Sequence, residues 1–234
     1  MYKNSISVVI PAFNEEGNIE KITKNVNDFL KSSFGDFEII IIDDGSIDNT
    51  YSICQKMLEE IGGRLAVLRH AKNRGYGAAL RTGLFSAKKE LVFYTDSDNQ
   101  FDIGELKHFM EYIHEYDLVI GFRRNRQDFF IRRFCAFVYN RLVFVLFGLD
   151  VRDIDCSFKL FKRSALSLLY IETDEFLVDT ELLVKAKLNN LKLKQIGVRH
   201  FARASGRSTV KFRHVLSTLR DITYLYRKIK KWTP

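Results

Sequence analysis

The sequence has few cysteines, few prolines and no long apolar segment. Its three cysteines, Cys54, Cys135 and Cys156, are far apart and include no CxxC pair. That spacing argues against a disulfide framework and a zinc site, and it favours a reducing, cytoplasmic setting. With only 2 prolines and 13 glycines, the chain is neither collagen-like nor a Pro-rich linker. The longest apolar run, residues 142–149, is much shorter than the roughly 20 residues that a membrane-spanning helix needs.

The composition is that of a globular protein with a basic surface. Hydrophobic residues make up 46% and charged residues 28% of the 234 residues, which excludes a disordered chain. The 37 Lys and Arg outnumber the 29 Asp and Glu, for a net charge of +8. An excess of this sign favours anionic ligands or an anionic membrane surface. We see no secretory signal at the start of the sequence.

The first half alternates strand and helix patterns. Short β-branched runs predict strands at 5–10, 37–42, 65–68, 91–95 and 118–121, with helical periodicity at 15–32, after 46 and at 75–88. Repeated strand–helix–strand units predict an α/β, Rossmann-like fold: a mostly parallel central sheet with helices on both faces. Ligands of such sheets bind beyond the carboxyl ends of the strands.

The second half is more apolar and more basic. Residues 128–147 form a long apolar stretch with few polar positions, 157–161 and 193–198 resemble strands, and 180–189 resembles a helix. Residues 210–232 have the periodicity of an amphipathic helix. Because no repeat or linker interrupts the chain, we expect a single domain with C-terminal amphipathic helices.

Polar residues follow four of the predicted strands. They are the segments 11–15 (PAFNE), 43–46 (DDGS), 73–75 (NRG) and 96–100 (DSDNQ). Asp96 and Asp98 could share Mg²⁺ or Mn²⁺ and leave room for substrate phosphates, with Gln100 adding a carbonyl oxygen. Taken alone, each of the acidic pairs Asp43–Asp44 and Asp96–Asp98 is a weak signal, because a turn or a helix cap also explains it.

In combination and in this order, the segments resemble the family 2 glycosyltransferases with the GT-A fold. Within that family they are most similar to the dolichyl-phosphate mannose synthase and polyprenyl-phosphate glycosyltransferase branch. Further matching segments are 121–123 (GFR), 152–161 (RDIDCSFKLF), 176–183 (FLVDTELL) and 203–208 (RASGRS). Two positions depart from the branch: Ser157 stands where many relatives have Gly, and Thr209 stands where Lys is usual.

The resemblance implies one GT-A domain over 1–234, with a nucleotide-sugar half at 1–122 and an acceptor and membrane-surface half at 123–234. It implies a metal site at Asp96, Asp98 and Gln100. The implied nucleotide-sugar contacts are Pro11, Ala12, Phe13, Asn14, Glu15, Asp43, Asp44, Gly45, Asn73, Gly75, Asp96, Ser97 and Asp98. The implied phosphate and acceptor contacts are Arg123, Arg133, Arg203, Ser208 and Lys211. The candidate catalytic residues are Asp98, Arg123, Asp155 and Glu181.

The implied activity is inverting transfer of a hexose from a nucleotide sugar, of GDP-mannose or UDP-glucose type, to a polyprenyl or dolichyl phosphate, with Mg²⁺ or Mn²⁺. A phosphate is already largely ionised near neutral pH and can attack without a strong base. The first alternative is transfer to a sugar hydroxyl, which would depend strongly on a carboxylate such as Glu181 or Asp155. The second is a non-catalytic basic binding module. Nucleic acid is not an expected partner, because no aromatic-and-basic motif for it is present.

The apolar stretch at 128–149 carries Arg132, Arg133 and Arg141. It is either an interfacial helix near a lipid phosphate or a core helix. The predicted helix at 210–232 could likewise lie at a membrane interface or pack against the body of the protein, and a third possibility is that it binds a partner. We expect a cytoplasmic protein, peripheral at the cytoplasmic face of a membrane, and a membrane-spanning partner subunit is a further hypothesis.

Overall fold

A seven-stranded sheet runs through both halves of the protein, in the order β3-β2-β1-β4-β6-β5-β7. The computed structural model describes residues 1–124, 130–175, 177–203 and 221–229, without the side chains of 130–135. The strands are β1 (Ile6–Ala12), β2 (Phe37–Asp43), β3 (Leu65–Arg69), β4 (Leu91–Thr95), β5 (Leu118–Arg124), β6 (Phe158–Lys162) and β7 (Leu193–Arg199). The helices are α1 (Ile19–Ser33), α2 (Thr50–Ile61), α3 (Tyr76–Ser86), α4 (Leu106–Met110), α5 (Phe130–Phe147), α6 (Arg163–Leu166) and α7 (Val178–Leu188). Residues 221–229 are also helical.

The predicted mostly parallel sheet is confirmed, with one reversed strand. β1 pairs in parallel with β2 and β4, and β2 pairs in parallel with β3. β6 runs antiparallel to both of its neighbours, β4 and β5. The carboxyl ends of β1, β2, β3, β4 and β5 therefore meet at one rim of the sheet, and the segment that precedes β6 joins them there.

The strands bury alternate residues in two apolar layers. Val9, Ile40 and Tyr94 belong to the layer that contains buried residues of α3, α5, α7 and the 221–229 helix. Val8 and Ile39 face the opposite layer, which contains α1, α2 and α4. This period of two explains why the central strands are apolar throughout: each has a helix layer on both of its faces.

Helix α5 confirms the helix predicted in the 128–147 stretch and leaves apolar side chains in solvent. Val143 is fully buried, whereas Phe137 and Val145 are each 67% exposed, Val138 is 44% exposed and Phe144 is 40% exposed. Among helices of the described ranges, none combines the length and apolarity needed to cross a bilayer. Of the helix predicted at 210–232, residues 221–229 are helical and bury Ile222, Leu225 and Ile229, and the rest lies outside the described residues.

Candidate active site

The polar segments predicted from the sequence meet at the carboxyl rim of the sheet. The side-chain amide of Asn99, after β4, donates to the carbonyl of Asn18, 3.0 Å away, beyond β1. Tyr76, at the start of α3, donates its hydroxyl to Asp96 at 3.1 Å. These contacts confirm that the segments following β1, β3 and β4 form one surface.

The segment after β1 is fixed by the segment after β2. Asn14 has a positive φ of 55°, its backbone N–H donates to Ser46 Oγ at 2.9 Å, and its side-chain oxygen accepts from the N–H of Ile47 at 2.9 Å. The N–H of Glu15 donates to Thr50 Oγ1 at 2.8 Å. The predicted nucleotide-binding residues 11–15 are thus held in place, and Phe13 keeps a half-buried position at the rim.

Asp44 organises the segment that follows β3. Its carboxylate accepts the backbone N–H groups of Arg74 at 3.0 Å and Gly75 at 2.9 Å, and it lies 2.6 Å from His70 Nδ1. Gly75 has φ 98° and Gly45 has φ 71°, a backbone region that favours glycine. The Asp44 carboxylate therefore fixes the backbone of the segment that follows β3, a role that the sequence did not indicate.

Three further predicted residues, one from each segment that follows β2, β3 and β4, differ in accessibility. Asp43 is fully buried at the end of β2, and Arg69 Nε lies 3.0 Å from its Oδ2. Asn73 is exposed beside Gly75. Ser97 is buried between the two aspartates Asp96 and Asp98. Of this group, Asn73 presents a side chain to solvent.

Asp96 and Asp98 lie together after β4 with a surplus of negative charge. Asp96 accepts from the hydroxyls of Tyr76 and Ser157. Burial of the carboxyl, then the charge of Asp98, raises the pKa of Asp96 to about 7, although the hydrogen bond from Ser157 works in the opposite direction. Burial also raises the pKa of Asp98. The charged forms of these two neighbouring, partly enclosed carboxylates are disfavoured, and a bound cation would stabilise them.

Arg203 supplies positive charge to this cluster. Its guanidinium is hydrogen-bonded to Glu15, and it lies 4.0 Å from Asp98 Oδ2. Glu15 also accepts from the side chain of Asn18 at 2.7 Å. Arg203 therefore links the segment after β1 to the segment after β4 from a position far along the chain.

The donor set fits Mg²⁺ or Mn²⁺ that shares its coordination with substrate. Within the described ranges, no group of three or more His, Cys, Asp and Glu side chains could hold a metal ion. Mg²⁺ nevertheless usually binds one or two carboxylates and completes its shell with water and substrate phosphates. Asp96 and Asp98 supply that pair. Gln100 is placed beside them because its N–H donates to Asp98 Oδ1 at 3.1 Å, while its side-chain amide donates to the Phe201 carbonyl at 2.8 Å.

Arg123, at the end of β5, forms a bidentate ion pair with Asp153. Nε and Nη2 each donate to the Asp153 carboxylate at 2.7 Å. Burial alone would lower the pKa of Arg123, but the hydrogen bonds and charge of Asp153 outweigh it and raise that pKa. The guanidinium is therefore a permanent cation held in one orientation at the rim.

Asp155 follows Asp153 on the same turn. Enclosure of its carboxyl, followed by the charge of Asp179, raises the pKa of Asp155 to about 6. The residue as a whole is nevertheless exposed. Of the carboxylates proposed as bases, Asp155 is the accessible one.

Beneath this turn lies a buried ion pair that the sequence did not indicate. The ammonium of Lys159, on β6, contacts Asp179 Oδ1 at 2.6 Å and the carbonyls of Ile154 at 2.9 Å and Cys156 at 2.7 Å. Tyr94 donates its hydroxyl to Asp179. Lys159 thus fixes the 153–157 turn from below. Lys159 lies between the apolar residues Phe158 and Leu160 of this strand, and a lysine flanked in this way was the signal that could have revealed the ion pair.

Glu181, proposed as a candidate base, is enclosed on α7. It is 0% exposed, and its carboxylate accepts from Lys185 Nζ at 2.7 Å and from the N–H groups of Glu172 and Thr173, the shorter of these at 2.8 Å. These contacts hold the 172–173 segment against α7. Both oxygens of the Glu181 carboxylate therefore accept hydrogen bonds from within the protein.

Three predicted acceptor contacts lie outside the described residues. They are Ser208, Lys211 and the side chain of Arg133.

Comparison with known families agrees with this geometry. Residues 7–169 match the model of glycosyl transferase family 2. The chain belongs to this family. The predicted family is therefore confirmed, and the matched residues run from the second residue of β1 to beyond β6, with the rim segments between them.

Relatives in the family include enzymes named for lipid-phosphate acceptors. The chain is 27% identical over 219 residues to the dolichyl-phosphate beta-glucosyltransferase of Saccharomyces cerevisiae, covering 82% of this chain and 66% of the yeast protein. It is 30% identical over 162 residues to the dodecaprenyl-phosphate galacturonate synthase of Rhizobium johnstonii, covering 68% of this chain and 48% of that protein. The chain therefore spans about half of one of these relatives and about two thirds of the other. Their names match the branch that the motifs indicated.

A solved structure supports the GT-A fold. Glucosyl-3-phosphoglycerate synthase from Mycobacterium tuberculosis, crystallised with Mn²⁺, UDP-glucose and phosphoglyceric acid, superimposes with a TM-score of 0.69 at 22% identity. The match covers 96% of this chain and 76% of that chain. At this identity, the likeness establishes the fold.

Proposed function

We propose that this family 2 member is an inverting glycosyltransferase that moves a hexose from a nucleotide sugar to a polyprenyl or dolichyl phosphate, with Mg²⁺ or Mn²⁺. The observation that carries the proposal is the rim itself: the carboxylate pair Asp96 and Asp98 lies in a surface that also holds Arg203 and the oriented Arg123. Carboxylates suited to a hard cation beside fixed arginines suit two phosphate-bearing substrates. The names of the relatives support the lipid phosphate as acceptor.

The donor half of the site is assigned to residues 1–122. The segments at 11–15, 43–45 and 73–75 surround the position for the nucleotide, and their hydrogen bonds to one another preorganise it. Asp96 and Asp98, with Gln100, would hold the divalent cation, which supplies charge neutralisation for the leaving diphosphate. Either GDP-mannose or UDP-glucose type donors are compatible with these residues.

The acceptor half is assigned to residues 123–234. Arg123 presents a cation held in a fixed position by Asp153, and it would orient the acceptor phosphate for attack on the anomeric carbon. Arg203, with Arg133, Ser208 and Lys211, would add phosphate contacts. A phosphate needs little help from a base, because its second pKa is about 6. Asp155 is the carboxylate that would matter if the acceptor were a hydroxyl.

The exposed side of α5 supports a membrane surface as partner. Phe137, Val138, Phe144 and Val145 form an exposed apolar stripe that also carries Arg141, whose guanidinium lies 5.1 Å from the Phe144 ring centroid. Apolar side chains beside a cation suit the headgroup region of an anionic bilayer. We propose that this stripe brings the site to its lipid acceptor at the cytoplasmic face. A membrane-spanning partner subunit would serve the same purpose.

The deciding experiment follows release of nucleotide diphosphate. Purified protein is incubated with Mn²⁺ or Mg²⁺ and a panel of GDP- and UDP-sugars, with and without a short polyprenyl phosphate. The proposal predicts release that requires the lipid phosphate, the metal and Asp98. Asp98→Ala should abolish it, whereas Asp36→Ala, which removes an exposed carboxylate paired with Lys89, should not.

Two other outcomes would count against the proposal. In the first, diphosphate release does not depend on the lipid phosphate, is stimulated by a glycan acceptor and is abolished by Asp155→Asn. That result would place the protein among the transferases that act on a hydroxyl acceptor. Nucleotide binding without any release in the panel would contradict the assigned donors.

A further inference from the structure

The carboxylate of Asp96 is held from both sides by hydroxyl groups. Tyr76 donates to Oδ1 at 3.1 Å, and Ser157 donates to Oδ2. The two donors come from different parts of the fold, the start of α3 and the residue before β6. Each carboxylate oxygen offers about two lone-pair directions, so one hydroxyl on each oxygen fixes the plane of the carboxylate and leaves the other directions open.

The Ser157 hydroxyl is itself firmly placed. Ser157 is 4% exposed, and the reversed strand β6 pairs Phe158 directly with Thr95. This pairing aligns Ser157 with Asp96 across the two strands. On the other side of Ser157, Lys159 binds the carbonyls of Ile154 and Cys156 at 2.9 and 2.7 Å. A hydroxyl on such a turn has little freedom to move away from its partner.

We propose that Ser157 and Tyr76 are positioning residues for the metal site: their hydroxyls hold Asp96 in the orientation that receives the divalent cation. This inference rests on the metal dependence in the proposed function and goes beyond it, because it concerns residues that would not touch the cation. Ser157 stands where the resemblance to the branch gave Gly, so this chain would have gained an orienting donor. Groups that orient metal ligands typically change metal affinity or activity by about 10- to 100-fold when removed.

The test measures Mn²⁺ affinity directly. Electron paramagnetic resonance of free Mn²⁺ gives the Kd for wild type, Ser157→Ala and Tyr76→Phe, in the presence of whichever of UDP or GDP tightens Mn²⁺ binding to the wild type. Each variant should bind Mn²⁺ about 10-fold more weakly. Ser167→Ala is the matched control, since Ser167 is exposed and donates to the Ser164 carbonyl at 2.8 Å; its Kd should equal that of the wild type.

A second pair of measurements separates positioning from general damage. In an Asp96→Asn background, Ser157→Ala should weaken Mn²⁺ binding no further, because the residue through which it acts is gone. A loss of equal size in both backgrounds, or a Kd for Ser157→Ala within about twofold of wild type, would overturn the inference. If Ser157→Ala fails to fold, the same comparison with Tyr76→Phe decides. Wild-type protein that binds Mn²⁺ no better than Asp98→Ala would instead refute the proposed metal dependence, and the inference with it.

Discussion

Replacing Lys159 by methionine should be among the most destabilising single changes in this protein. The side chain is fully buried, and its ammonium contacts the Asp179 carboxylate at 2.6 Å and two backbone carbonyls. Methionine fills similar volume but leaves Asp179 as a buried charge whose described partner is the Tyr94 hydroxyl. Breaking a buried ion pair by removing one partner costs about 3–5 kcal/mol.

This cost is large compared with the total stability of a domain, which is about 5–15 kcal/mol. For a chain of this size, each kcal/mol lowers Tm by about 2–4 °C, so Lys159→Met should lower Tm by about 6–20 °C. The assay is urea unfolding followed by circular dichroism, with thermal unfolding as a second measure. Lys162→Met is the matched control on the same strand, because Lys162 is partly exposed and its nearest carboxylate oxygen, on Asp117, is 3.6 Å away; it should cost less than about 1 kcal/mol.

The double variant Lys159→Met with Asp179→Asn tests the cause. Because it removes the orphaned charge, it should recover more than half of the stability lost in Lys159→Met. Equal stability of Lys159→Met and Lys162→Met, or a further loss of stability when Asp179→Asn is added to Lys159→Met, would show that the orphaned charge of Asp179 is not the cause.

Three further predictions concern pH, close packing and the catalytic base. In EDTA, the free energy of unfolding should fall as pH rises from about 4 to about 7. The reason is that the pKa of Asp96 is raised from 3.8 to about 7, so the folded state binds more protons than the unfolded state in that window. Urea midpoints measured at about pH 5 and about pH 8 should therefore differ less for Asp96→Asn than for the wild type. Gly77→Ala should lower Tm, because a Cβ there would lie 2.5 Å from the Thr173 carbonyl, whereas Gly63→Ala, with nothing within 4 Å, should leave Tm nearly unchanged. Glu181→Gln should reduce stability measured by urea unfolding while kcat, from diphosphate release, stays within about tenfold of wild type; a far larger loss of kcat would return Glu181 to the catalytic residues.

The sequence predicted the first half of the fold because its signals are local. The central strands are apolar on both faces, and each is followed by a helix of regular period. That pattern requires parallel strands, and parallel strands place their carboxyl ends at one rim. Asp96, Asp98 and the segment at 11–15 could therefore be assigned to one site before any distance was known. The short helices α4 and α6 escaped prediction because four or five residues are too few to show a period.

The contacts that the sequence could not predict join residues far apart in the chain. Arg203 reaches Glu15 across 188 positions, and Ser157 reaches Asp96 across 61. No spacing rule connects such pairs, because they depend on which strands become neighbours. Glu181 shows the complementary difficulty: its position on a helix was predicted, but only packing shows that its carboxylate faces the 172–173 backbone and not the rim.

The reversal of β6 explains how one rim can carry both halves of the proposed site. In a wholly parallel sheet, this rim would receive only segments that follow strands. Because β6 runs antiparallel between β4 and β5, the segment that precedes it also arrives there, between the strand that ends next to Asp96 and the strand that carries Arg123. That segment supplies Ser157 to Asp96 and Asp153 to Arg123. The same turn thus contacts Asp96, assigned to the donor site, and Arg123, assigned to the acceptor site. A change in the conformation of this turn would therefore alter the positions of both residues.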